Sequence, residues 1–100
     1  MENKIYHITT QEAWSKAIEL GFYEDPSLAV EGFIHCSTEH QVKGVLERYF
    51  VGKTDLIKLT IDTNKLQAKL QYDLAPSVNE YFPHIYGVIN FDAVISIEVM

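Results

Sequence analysis

Three of the four histidines lie inside apolar runs: His7 in Lys-Ile-Tyr-His-Ile-Thr, His35 in Gly-Phe-Ile-His-Cys-Ser, and His84 in Tyr-Phe-Pro-His-Ile-Tyr-Gly. An imidazole titrates near neutrality, so it can donate or accept a proton under the conditions in which most chemistry at nucleosides, esters and phosphates is run. Burying one without a partner costs about 1 to 3 kcal/mol, against a domain stability of about 5 to 15 kcal/mol. Three unpartnered rings would be hard to carry, so either each has its own partner or they share one polar cleft. Side-chain alternation along a strand puts Ile5, His7 and Thr9 on one face, and Phe33, His35 and Ser37 on one face with Ile34 and Cys36 opposite. Phe82, His84 and Tyr86 point together if that segment is extended. His40 sits one turn into a polar helix start and reads as a solvated surface residue.

Other chemistries find less in the chain. A strand handing over to a helix at Ser37-Thr38 exposes amide N–H groups and the positive end of a helix dipole, where a phosphate oxygen could sit. The same residues also read as a plain N-cap, with Gln41 closing a capping box. Cys36 falls on the core parity with no basic neighbour and reads as a small buried hydrophobe. His35, Cys36 and His40 are close in sequence, but opposite parity of the first two works against a shared metal, and none is expected. No glycine-rich phosphate loop, nucleophile elbow, zinc-protease helix or paired-cysteine spacing occurs. Glu31 and Glu80 stand next to the histidine segments and read as solvated loop charges.

The elements that must hold these residues follow from periodicity and caps. Residues 4–9 are β-branched and aromatic, a short strand. Thr9 to Glu12 fits a capping box, and Trp14, Ala17 and Ile18 recur on one helical face before Gly21, giving a helix over about 10–20. A turn is expected around Asp25-Pro26-Ser27, then a strand over 32–37. Val42, Val45, Leu46, Tyr49 and Phe50 form one apolar stripe of a second helix, closed by Gly52. Residues 55–62, 68–74 and 93–99 read as strands, the middle one edge-like. Proline bars a helix over 81–87. Two main helices and a strand-rich second half predict an α+β chain.

One hundred residues with 47% hydrophobic and 22% charged side chains describe one folded domain. Eight Lys and Arg against fourteen Asp and Glu leave a net charge of −6, which disfavours nucleic acid and anionic membranes as partners. No apolar run approaches the ~18 residues of a membrane span. One cysteine and a charged amino-terminal stretch point to a reducing cytoplasm. Composition leaves oligomeric state open.

Together, Tyr6-His7-Ile8, Glu31-Gly32-Phe33-Ile34-His35-Cys36-Ser37 with Gln41, and Phe82-Pro83-His84-Ile85-Tyr86-Gly87 resemble the family called domain of unknown function 952. The family usually continues with proline where this chain has Val88. The resemblance implies an ADP-ribosyltransferase-like α+β fold, two short split antiparallel sheets with two main helices around a cleft that receives NAD. It further implies binding of NAD, ADP-ribose or a related phosphorylated nucleotide, with ADP-ribosyl transfer or hydrolysis as the associated chemistry. On this reading His7, Ser37, Thr38, Gln41 and Tyr86 hold the ligand, and His35 and His84 act catalytically. The glycosidic bond would break through an oxocarbenium-like state that needs a nearby carboxylate; no glutamate in the sequence identifies itself, since Glu98 is two residues from the C-terminus. Two alternatives stand beside it: an NAD-dependent 2′-phosphotransferase, against which the charge and the lone Arg48 argue, and a non-catalytic ligand-sensing or partner-binding module.

Overall fold

β1 (Lys4–Thr10) runs directly into α1 (Gln11–Leu20). In this computed structural model, which describes residues 3–100, the helix is capped by Thr10, whose Oγ1 accepts from the Ala13 amide at 3.1 Å. The cap is therefore one residue later than the Thr9-to-Glu12 spacing suggests. Thr9 is instead turned inward and bonded to Tyr23, because its strand position faces the core. Gly21 ends the helix in a left-handed conformation, as expected.

The expected turn at Asp25-Pro26-Ser27 is instead the start of a helix, α2 (Pro26–Glu31). Asp25 caps it by accepting from the Ser27 amide at 3.0 Å, and Pro26 takes the first helical position, where its missing N–H is harmless. Gly32, at φ +90°, turns the chain out of α2 into β2 (Ile34–His35). The strand expected over 32–37 thus has only two ladder residues. Thr38 and Gln41 form the predicted capping box ahead of a single 3₁₀ turn and α3 (Val42–Tyr49). That helix ends at Phe50, two residues before the glycine expected to close it.

The remaining strands are β3 (Leu56–Asp62), β4 (Lys69–Ala75), β5 (Glu80–Tyr86) and β6 (Val94–Val99). They make two three-stranded antiparallel sheets, one in the order β1-β3-β6 and one in the order β2-β5-β4. The architecture is α+β with two small sheets and short helices. β4 is an edge, as its composition suggests, whereas β5 is central despite Pro83. A residue's N and O point to the same side of a strand, and the Pro83 carbonyl accepts from the Cys36 amide at 3.0 Å. Its missing N–H therefore faces the side where β2 has ended, and no ladder bond to β4 is lost.

The sheets are stitched along one seam. Tyr6 and Ser37 exchange two backbone hydrogen bonds of 2.8 Å each, joining the free edge of β1 to the chain just after β2. Between the sheets lies the main core, built on Ile5, Tyr23, Ile34, Ile57, Leu59, Ile61, Ile85 and Ile89. α3 covers the other face of the first sheet, where Ile8, Val42 and Leu56 form a smaller cluster with Tyr6, Leu46 and Phe50.

Candidate functional site

At the seam between the sheets a cavity of about 360 Å³ opens to solvent. Its polar wall carries His7, Asp25, His35, Ser37 and His84; its apolar wall is formed by Ile8, Val45, Tyr49, Phe50 and Phe82. The three histidines from separate strands therefore do converge, but they reach the cavity in different states.

His35 and His84 are direct partners in the β2–β5 ladder, so their side chains leave the same face of the second sheet. Their ring centroids are 5.2 Å apart, edge to face. Phe33, two residues before His35 and hence on the same face, stacks on His84 at 4.0 Å and packs edge-on to His35. Each imidazole is held by a carboxylate: His35 Nε2 donates to Glu31 Oε2 at 2.8 Å, and His84 Nδ1 donates to Asp73 Oδ2 at 2.7 Å. A carboxylate can only accept, so both tautomers follow, leaving His35 Nδ1 and His84 Nε2 without a protein partner among the described residues. His84 is buried, whereas the His35 side chain is 55% exposed. Two oriented imidazoles with a free nitrogen each can accept hydrogen bonds from hydroxyls or move a proton.

Asp73 lies on β4 one pleat along from Gln71, the residue directly opposite His84, so register alone brings it there. Hydrogen bonds from Gln71, Tyr86 and His84, in that order of weight, hold its carboxyl down at about 2. The same contact pushes the Tyr86 phenol upward, since its proton is held by the carboxylate.

His7 has private partners. Its Nδ1 donates to the His35 carbonyl at 2.6 Å, and its Nε2 lies 2.9 Å from the Tyr23 hydroxyl and 3.6 Å from Asp25 Oδ1. The phenol is also 2.9 Å from Thr9 Oγ1 and 3.0 Å from Asp25 Oδ1. Burial raises the Tyr23 phenol well above its usual range. The Asp25 carboxyl is held well below the usual carboxylate range, first by the neighbouring His7 ring and then by Ser27. With both nitrogens engaged, His7 braces the His35 backbone from across the seam and has no nitrogen to spare for a ligand.

The other expected positions separate in the same way. Ser37 lines the cavity, buried, with no partner for its hydroxyl among the described residues. Thr38 and Gln41 do not line it: the Thr38 amide donates to Gln41 Oε1 at 3.0 Å, and Gln41 Nε2 bonds Glu80 Oε1 and the Tyr81 carbonyl. Of the amides after Ser37 expected to receive an anion, the first, that of Thr38, is therefore occupied, and the Ser37 amide itself is taken by the Tyr6 carbonyl. Tyr86 stands behind Asp73 and off the cavity lining. Cys36 is buried on the core side, and burial pushes its thiol far up. Among the described residues no three His, Cys, Asp or Glu side chains are placed to hold a metal ion. Nor is any helix among the described residues long and apolar enough to cross a membrane.

Sequence reasoning passed over Asp25, Tyr23 and Asp73. Asp25 followed by proline and serine is a helix-start signature and could have been read as one. Nothing local marks Tyr23 or Asp73, whose roles depend on strand register and on chain folding back.

Fold and site together define a small α+β domain with a histidine–carboxylate cavity at a two-sheet seam. The chain belongs to the family described as protein of unknown function DUF952, whose model matches residues 8–97. It is similar in structure to protein CC0527 from Caulobacter crescentus: the crystal structure has a TM-score of 0.85 at 25% identity, covering 94% of this chain and 82% of that one. The solution NMR structure of CC0527 has a TM-score of 0.80 at 25% identity over 96% of this chain and 83% of that one. Comparison with curated proteins gave no match.

Proposed function

We propose that this domain binds the nucleoside part of NAD, ADP-ribose or a related nucleotide in the seam cavity, on an ADP-ribosyltransferase-like arrangement of the two sheets. The observation that carries this reading is the pair His35 and His84, 5.2 Å apart, each anchored by a carboxylate and each left with one acceptor nitrogen. A ribose offers adjacent hydroxyls that such a pair can accept from, and the Ser37 hydroxyl adds a donor at the same wall. The facing wall of Tyr49, Phe50 and Phe82 suits a flat heterocyclic ring. The volume is at the small end of ligand sites, which fits a nucleoside-sized group better than a whole dinucleotide, whose remainder would lie in the mouth.

Two features favour transfer or hydrolysis at the glycosidic bond as the accompanying chemistry. His35 and His84 are placed to move a proton, and Asp25 is a carboxylate facing the cavity, where the sequence offered no candidate. The 2′-phosphotransferase alternative gains no support, because Arg48 is folded against Gly44 and near the Tyr49 ring, and no Lys or Arg lines the cavity.

Calorimetry and thermal melts with NAD and ADP-ribose test the reading. Ligand at ~100-fold above its dissociation constant stabilises by roughly 2.7 kcal/mol, which raises the melting point of so small a domain by roughly ten degrees or more. His35→Ala and His84→Ala are expected to weaken binding about tenfold or more, the loss of one to two hydrogen bonds. No binding of either nucleotide at millimolar concentration removes the reading.

A further inference from the structure

Charge around the cavity is one-sided. Asp25 lines it with a quarter of its side chain exposed, and Glu31 and Asp73 stand directly behind His35 and His84. No lysine or arginine is among the lining residues. Two cations beside lining rings are already engaged: Lys58 pairs with Glu98 at 3.4 Å and sits 5.2 Å from the Tyr6 ring, and Arg48 lies 5.8 Å from the Tyr49 ring. Both tyrosines therefore already hold a cation, while the rings of Phe50 and Phe82, also in the lining, have none. The wall is also built to receive something polar. Ser37 and His84 are 4% and 7% exposed, and the hydroxyl of one and the Nε2 of the other have no partner among the described residues.

We propose that the cavity selects an organic cation, a flat delocalised nitrogen cation of the pyridinium type, seated between the Asp25 carboxylate and the Phe50 and Phe82 rings, with any phosphate kept outside. This deepens the nucleotide reading by naming which end of the ligand enters. A cation there gains a part-buried carboxylate and aromatic faces, the combination that recognises ammonium and heteroaromatic cations. A phosphate there would face the Asp25 carboxylate with no lysine or arginine in the lining to pair with, and the Ser37 and Thr38 amides are already bonded. The His7 ring and the Ser27 amide beside Asp25 hold its carboxyl well below the usual range, so its charge is present throughout the neutral range.

The test compares probes of one shape and two charges by calorimetry: the N1-methylnicotinamide cation against neutral nicotinamide, and oxidised NAD against its reduced form. The cation is expected to bind about tenfold tighter or more in each pair. Asp25→Asn keeps the helix cap, since Asn caps as well as Asp, and should bring the two members of each pair to within about threefold. Equal affinity for cation and neutral probe in the wild-type protein overturns the proposal whatever the variant does, and so does a preference that survives Asp25→Asn. If ADP-ribose binds as tightly as oxidised NAD and neither probe pair shows a preference, the nucleotide reading stands and this one falls. If N1-methylnicotinamide binds selectively while neither dinucleotide nor ADP-ribose does, cation selection stands and the nucleotide reading falls. Failure of every probe overturns both.

Discussion

Each buried imidazole here shows how a single carboxylate sets what a histidine can do. His7 has both nitrogens engaged and serves as a brace, whereas His84 has one nitrogen fixed by Asp73 and one left over. Asp73 itself is unusual in collecting three donors, and its depressed carboxyl makes a signed prediction. A carboxyl near 2 when folded and ~3.9 when unfolded contributes stability that is fully present above pH ~4 and is lost as the pH falls towards 2. Thermal melts between pH 5 and 2 should therefore show a steeper acid limb for the wild type than for Asp73→Asn. Parallel limbs would mean that the three hydrogen bonds carry no net energy. The histidines were legible as a set because polar rings in apolar runs need partners. Which partner each one takes was not, since Tyr23, Asp73 and the His35 carbonyl are distant in sequence or unmarked in type.

At the scale of elements, local rules worked wherever the determinants were contiguous. The stripe from Val42 to Phe50 and the Thr38–Gln41 box placed α3, and alternation put Cys36 inside and His35 outside. They failed at α2, where Asp25-Pro26 reads equally as a turn, and the helix is settled by Asp25 capping one end and Gly32 the other. Gly32 has open space where a Cβ would go, so Gly32→Ala meets no clash, only the backbone penalty of φ +90°. That penalty is about 1 to 2 kcal/mol. A urea melt should show the unfolding free energy lowered by that amount, as a lower midpoint at unchanged slope. No change would mean that the turn relaxes freely. The position also bears on the site, because Gly32 directly follows Glu31, the residue that holds His35.

For the molecule as a whole, one seam unites two sheets that share no strand. The Tyr6–Ser37 exchange places the edge of β1 beside β2, and the cavity exists because the sheets meet there at an open seam. Cys36 sits beneath that seam, 3% exposed and with its thiol pushed up by burial, so it reports on the intact core. Labelling with an aromatic disulfide should be negligible in buffer and should rise along the same denaturant curve as loss of secondary structure. Rapid labelling of the native protein would show that the seam opens without global unfolding.

What could be read directly from the chain was its α+β character, α1 and α3 with ends good to a residue or two, which strand residues share a face, and the need for its imidazoles to be satisfied. These depend on interactions within a few residues, where periodicity and capping act. Strand order, the central place of a proline-bearing strand, and the meeting of Asp25, Asp73 and the three histidines came only with the folded structure. They depend on register between segments tens of residues apart, and alternation constrains which face a side chain takes without saying what lies across from it.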